Sequence, residues 1–337
     1  MKTMKAMIER DAQPATAIAA PPAPPDLPGR IAWLDARYLK NARDAEFQEC
    51  LRDILQVGPE GTLLPIAIRD PLNGETRGMQ VIGASGDGKS VMIQRNLFAL
   101  PGFVKMNAGT AGNYLHITVS PEATIKSLAS DIAAATGYGR LAERTKTHEA
   151  WAIVRHRLKK FEIAMLWIDE AHHLLRGGAG RDVAGALQTL KNLLQGEGAV
   201  AVILSGVHHL EDRIAADPET FRRYRLCQRL QSLAAGGGDM QLLRRFIEKC
   251  CQKLDLSLPD DPSFAERIVF SQAGGLGRSI IFAKMTIRRA LVNRKEGVSI
   301  EDARRTWILN GGEDNGPCPF DPMPWSDLRK LLAESGW

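Results

Sequence analysis

The chain has 337 residues, a formal net charge of +5, 31 glycines and 18 prolines. That length admits one large core plus a smaller domain. No run approaches the ~20 continuous apolar residues of a membrane span, and no apolar core follows the early Lys and Arg residues as in a secretion signal. Cys50, Cys227, Cys250, Cys251 and Cys318 include no metal-spaced pair, so reduced thiols and a soluble, cytoplasmic protein without a membrane partner are expected. The basic balance favours polyanions mildly.

Residues 12–28 are mostly Ala and Pro and bury no apolar face, so residues 1–28 read as a disordered arm. Ile31–Val57 carries helical spacing through Trp33, Leu34, Phe47, Leu51 and Ile54. Arg69–Gly74 is a turn. Met79–Ile82 reads as a short buried strand, followed by a glycine-rich octet and a helix from Val91 to Leu97. Tyr114–Val119 alternates as a strand. Ser120-Pro121-Glu122 predicts a helix start, with Ser120 as cap and Pro121 in the first position, and Gly137 ends that helix. Thr147–Phe161 is another helix. Ile163–Ile168 is an apolar run closed by Asp169-Glu170; Val183–Gln195 is helical, and Ala199–Leu204 is a strand closed by Ser205-Gly206. This alternation predicts an α/β fold over 29–238, a parallel sheet with helices on both faces. Met240–Leu254, Pro262–Gln272, Gly277–Val292 and Ser299–Leu309 then carry only helical spacing, which predicts a small all-helical domain over 239–310. Residues 311–337 form a tail with an amphipathic stretch at Trp325–Leu332. Its Pro319-Phe320-Asp321-Pro322 and Trp325 segment is either a tethered docking peptide or a helix folded back on the preceding domain.

The octet is Gly83-Ala84-Ser85-Gly86-Asp87-Gly88-Lys89-Ser90, which matches G-x-x-x-x-G-K-[ST]. Between a strand and a helix, such a loop turns backbone N–H groups toward phosphate oxygens. Lys89 is placed to reach the β- and γ-phosphates of ATP, and the Ser90 hydroxyl to hold Mg²⁺. An acidic pair closing a buried strand is costly unless it faces a polar cleft. Asp169 is therefore expected to orient Mg²⁺, and Glu170 to polarise an attacking water. Ser205, closing the third strand, is either a sensor of the γ-phosphate or a plain turn residue. The adjacent His172 and His173 invite a metal reading, but neighbours on a helix diverge, and packing or coupling to a neighbouring subunit is preferred. Arg155, Arg157, Lys159, Lys160 and Arg288, Arg289, Arg294, Lys295 are basic clusters that suit a solvated helix face better than a nucleic-acid contact.

A phosphate loop in an α/β core followed by a helical lid resembles the AAA+ ATPases. Within them, the chain resembles the TniB/TnsC-type transposition regulators, relatives of Mu B and IstB. The likeness rests on Ile31-Ala32-Trp33-Leu34, Ile117–Glu122, Ile168–Leu175, Leu187–Leu194 and Gly274-Gly275-Leu276-Gly277-Arg278, and spans about residues 29–310. It implies an arginine finger among Arg222, Arg223, Arg225 and Arg229, with Arg223 favoured, and a lid arginine, Arg278, on the nucleotide. It also implies ATP-bound subunits assembling as a ring or filament on duplex DNA. Such an assembly would recruit a transposase, with or without a target-selection protein, and come apart on hydrolysis. The loop 101–113 would then face the duplex, through Lys105 and Thr110. Two rivals remain: an ATP-switched scaffold or signalling NTPase that never touches DNA, and a helicase suggested by Asp169-Glu170-Ala171-His172. The helicase needs a second motor domain.

Overall fold

The computed structural model describes residues 20–177, 182–233, 238–313 and 316–337. In chain order the elements are α1 (Leu27–Asp35), α2 (Ala42–Arg52), β1 (Leu55–Val57), β2 (Leu63–Ala67), β3 (Gly78–Ile82), α3 (Lys89–Ala99), β4 (Tyr114–Thr118), α4 (Ile125–Ala135), α5 (Thr147–Lys160) and β5 (Met165–Asp169). A 3₁₀ turn (Ala171–Leu175), α6 (Val183–Asn192), β6 (Ala201–Gly206), α7 (His208–Ala215), α8 (Pro218–Arg223) and β7 (Leu226–Arg229) follow. The last five helices are α9 (Gly238–Lys253), α10 (Phe264–Ser271), α11 (Leu276–Val292), α12 (Ile300–Leu309) and α13 (Trp325–Glu334). The chain divides into two compact units, 42–231 and 1–41 with 232–337.

The first unit is built on a five-stranded parallel sheet in the order β4-β5-β6-β3-β7. Its central strands β3, β5 and β6 are buried at every position, which is why they read as near-continuous apolar runs. Two apolar layers form. One gathers Leu115, Ile117, Leu166, Ile168, Val202 and Leu204 under α4, α5 and α6. The other gathers Met79, Val81, Met165, Trp167, Ala201 and Ile203 with α2 and α3. Gly78 opens β3 against the ring of Tyr224, where a Cβ would lie 2.2 Å from Cε1. Tyr224 is fully buried and donates its hydroxyl to Leu190 O at 2.8 Å.

Three local expectations change. The single helix expected over Ile31–Val57 is α1, α2 and the strand β1, which pairs antiparallel with β2. Ser120-Pro121-Glu122 is a turn, and α4 starts at Ile125. Thr124 caps it there, accepting from Ser127 N at 3.1 Å while Ser127 Oγ accepts from Thr124 N at 2.8 Å. This is a capping box shifted by one turn. Residues 29–41, expected in the α/β core, belong to the second unit, and α1 begins inside the stretch read as a disordered arm. Residues 1–19 of that arm lie outside the described residues.

The second unit is helical, with no strand among its described residues. α1 joins it through Trp33 and Leu34, which are buried with Leu243, Ile247, Phe282 and Ile287. Lys284 donates to Asp35 O at 2.8 Å and Arg37 O at 2.6 Å. The tail folds back on this unit, which removes the free docking peptide. Phe320 stacks on Phe282 at 5.3 Å, and Leu328 and Leu332 are fully buried. The buried Arg267 of α10 holds the tail with hydrogen bonds to Pro319 O (3.0 Å), Asp321 O (3.1 Å) and Met323 O (2.6 Å), and pairs with Asp261 at 2.8 Å. Among the described residues no helix is long and apolar enough to cross a membrane.

Candidate nucleotide site

The octet leaves β3, second from one edge of the sheet, and runs directly into α3. Gly86 and Gly88 have φ of +81° and +91°, a region that a Cβ disfavours. Among the described residues, the N–H groups of Gly86, Gly88, Lys89 and Ser90 donate to no main-chain carbonyl. The loop thus offers open donors at a helix N-terminus, where anions bind. Asp87, buried, accepts from Ala84 N at 2.8 Å and ties the loop to itself. The Lys89 ammonium donates to Gly83 O and Ala84 O, both at 2.9 Å. Burial lowers its pKa, against the pull of Glu170, Asp87 and Asp169.

The strand order brings the acidic end of β5 to this loop through β6, which lies between β5 and β3. Asp169 Oδ2 accepts from Ser90 Oγ at 2.7 Å, and Asp169 Oδ1 accepts from Ser205 Oγ at 2.5 Å. One carboxylate therefore joins the octet to the third strand. Ser205 is fully buried and also accepts from Trp167 Nε1 at 2.8 Å. Its proton is donated to Asp169, so Ser205 sits behind the carboxylate in this structure. Sequence reasoning missed His116. It lies on β4 with its ring stacked on Trp167 at 3.6 Å and its Nε2 3.9 Å from Asp169 Oδ2. The signal was there in the alternation of Tyr114–Thr118, which puts His116 and Thr118 on one face. Burial works to raise the Asp169 pKa, but His116, Ser205 and Ser90 together outweigh it and hold the carboxyl below the ordinary range. A dry, ionised carboxylate beside a serine hydroxyl is a hard-oxygen donor set, and it fits Mg²⁺.

Glu170 follows in the left-handed region, φ +55°. Burial and the neighbouring Asp169 raise its pKa, opposed by Lys89 and Arg176. The left-handed residue leads into the 3₁₀ turn instead of an α-helix. That corrects the argument from diverging helical neighbours: the rings of His172 and His173 are 4.1 Å apart, and His172 Nδ1 is 3.2 Å from Glu170 Oε2.

The remaining candidates lie elsewhere. Arg223, the favoured finger, is bound within its own chain: it donates to Glu75 Oε1 at 2.7 Å and to Glu219 O at 3.2 Å. Arg222 is exposed, 3.9 Å from Glu75. Arg229 pairs with Glu211. Arg225 is exposed, and among the described residues its side chain makes no hydrogen bond or ion pair. Arg278 is in the first turns of α11, in the helical unit, its guanidinium lying over Gly275. Lys105 is half-buried and bridges to Tyr114 at the start of β4; Thr110 is exposed in a tight turn paired with Asn107.

Residues 64–231, about half of the chain, match the family model of the bacterial TniB protein. The chain is a TniB-type AAA+ ATPase. Among solved structures, the TniB-type chain is similar to the Aeropyrum pernix ORC1 protein in complex with DNA, at 14% identity and a TM-score of 0.54, covering 90% of this chain and 80% of that one. It is similar to the Aeropyrum pernix ORC2 protein in its ADPNP-ADP complexes at 14% identity and a TM-score of 0.55, covering 83% and 72%. Cdc6p from Pyrobaculum aerophilum follows at 14% and 0.51, covering 84% and 67%. At these identities the likeness shows the fold, an AAA+ core with a helical lid. No curated protein matches the TniB-type chain. The second unit has no strand among its described residues from which the second motor domain of a helicase would be built.

Proposed function

We propose that this TniB-type ATPase is a cytoplasmic regulator of DNA transposition, which assembles on duplex DNA with ATP bound and recruits a transposase. The observation that carries the nucleotide half is the Ser90–Asp169–Ser205 chain, which couples the octet to the ends of β5 and β6 in one hydrogen-bonded unit. The DNA half is supported by the TniB match and by the basic balance of the chain.

In this reading the open N–H groups of the loop cradle the phosphates of ATP, and Lys89 turns from the Gly83 and Ala84 carbonyls to the β- and γ-phosphates. A bound Mg²⁺ supplies charge neutralisation on those phosphates, held by Ser90 and oriented by Asp169. Ser205 and His116 keep Asp169 ionised and aimed. Glu170 accepts a proton from the attacking water. Its raised pKa makes it the stronger base of the acidic pair. Arg225, free on the surface before β7, is a better finger than the paired Arg223 and would act on a neighbouring subunit's γ-phosphate. Arg278 would contact the nucleotide from the lid. Thr110 and Lys105 would meet the DNA backbone, and that binding would weaken as salt rises.

The test is electron microscopy and filter binding of the purified protein with duplex DNA, with and without a slowly hydrolysed ATP analogue. Analogue-dependent rings or filaments on DNA are expected. Equal, negligible DNA binding in both states refutes the reading in favour of a scaffold NTPase. Lys89→Ala should lose nucleotide binding, whereas Glu170→Gln should bind ATP, fail to turn over and accumulate the assembled form.

A further inference from the structure

The left-handed backbone at Glu170 and the 3₁₀ turn after it bring together three side chains that an α-helix would have spread apart. One ligand atom each from Glu170, His172 and His173 lies within 4.8 Å of the others. The closest pair, His172 Nδ1 and Glu170 Oε2, is at 3.2 Å, about the separation of two ligands around a tetrahedral ion with ~2.0–2.1 Å bonds. The His172 ring is buried, and its Nδ1 has no hydrogen-bond partner of good geometry. Burial and the nearby His173 push the His172 pKa down to about 4, so at neutral pH the ring is an uncharged nitrogen donor. A glutamate and two imidazoles do not suit Mg²⁺, which prefers oxygen ligands. They suit a borderline cation of the zinc class.

The geometry points to a second metal site at Glu170, His172 and His173, in which a zinc-class divalent cation captures the Glu170 carboxylate and arrests ATP hydrolysis. The fourth position falls to water, as in zinc sites with three protein ligands. The carboxylate that would accept the proton of the attacking water then has its lone pair on the metal. Asp169 and Ser90, bonded to each other and not among the three proposed ligands, are left as they are. The arrest therefore adds to the Mg²⁺ site without emptying it. The inhibitory part rests on Glu170 being the base of the proposed function; the metal site itself does not.

The test has two arms. In the first, nucleotide-free protein is titrated with Co²⁺, whose visible absorption reports low-coordinate histidine ligation. Wild type should bind one ion, and His173→Ala and His173→Gln at least ten times more weakly, with far-ultraviolet circular dichroism and ADP affinity confirming that both variants fold. An absent Co²⁺ band, or unchanged affinity in both variants, overturns the site. In the second arm, turnover is measured in a large excess of Mg²⁺ with and without micromolar Zn²⁺. A severalfold loss in wild type and a ratio near one in His173→Ala support the arrest. Zinc bound through His173 with turnover unchanged overturns it. A protein that binds Co²⁺ through His173 but hydrolyses no ATP without zinc defeats the role given to Glu170 and leaves the metal site standing.

Discussion

Replacing Ser205 with Ala separates a positioning role from a phosphate sensor. The hydroxyl donates to Asp169 at 2.5 Å and accepts from Trp167 Nε1 at 2.8 Å, in full burial. The substitution takes one charge-assisted hydrogen bond from a buried carboxylate and strands an indole N–H. A hydrogen bond to a charged group is worth about 1.5–3 kcal/mol, and an orphaned buried donor costs about 1–3 kcal/mol, so the two together predict a loss of about 2.5–6 kcal/mol. The pH dependence carries a sign. Asp169 has a lowered carboxyl pKa in the folded state, so its contribution to stability is complete above the unfolded value and disappears as pH falls through the folded one. Without Ser205 the folded value rises, and this acid-sensitive contribution shrinks. Urea unfolding at neutral and mildly acidic pH reads both effects, and ATPase titrated with Mg²⁺ reads the aim of Asp169. The variant should need several times more Mg²⁺ for half-maximal rate. Unchanged unfolding with a collapsed turnover rate and normal Mg²⁺ dependence would refute the argument and restore Ser205 to the γ-phosphate.

Two further outcomes concern the arginines before β7, and a third concerns packing. Arg225→Ala should lower turnover by about 10³-fold with nucleotide affinity kept, and mixing it with inactive Lys89→Ala protein should restore activity, because each subunit then supplies what the other lacks; no restoration would exclude a finger acting between subunits. Arg223→Ala should instead cost about 1–2 kcal/mol of stability by removing the Glu75 pair, read by denaturation, with turnover per folded molecule retained. Gly78→Ala should destabilise by about 1–3 kcal/mol or more, since its Cβ would meet a ring that cannot move; a variant unfolding at the wild-type midpoint would contradict that packing.

The octet, β3, β5 and β6 were legible because strands buried on both faces are apolar throughout and glycine spacing is read without ambiguity. β7 was not. Leu226-Cys227-Gln228-Arg229 has no apolar run, and its Gln228 is buried because its amide donates to Arg43 O at 2.7 Å. Pairing with β3 makes it a strand, and no local pattern reports that. α1 and α2 merged in the sequence because Tyr38-Leu39-Lys40-Asn41 between them holds neither Gly nor Pro, although the two helices belong to different units. At the site, the residue types were legible and their partners were not. Nothing local marks Trp167 as the donor behind Ser205, or Glu75 as the acceptor that holds Arg223.

The grip of Arg267 on the tail has a practical bearing on deletion experiments. Cutting the chain at residue 310 would remove three carbonyl acceptors from a guanidinium shut away from water, and the aromatic lid over Phe282 with them. A shortened protein that loses activity would therefore report a collapsed helical unit. The tail's own dealings with other molecules would have to be probed by single exchanges on the outer face of α13, at Arg329 or Lys330, which leave that anchorage whole.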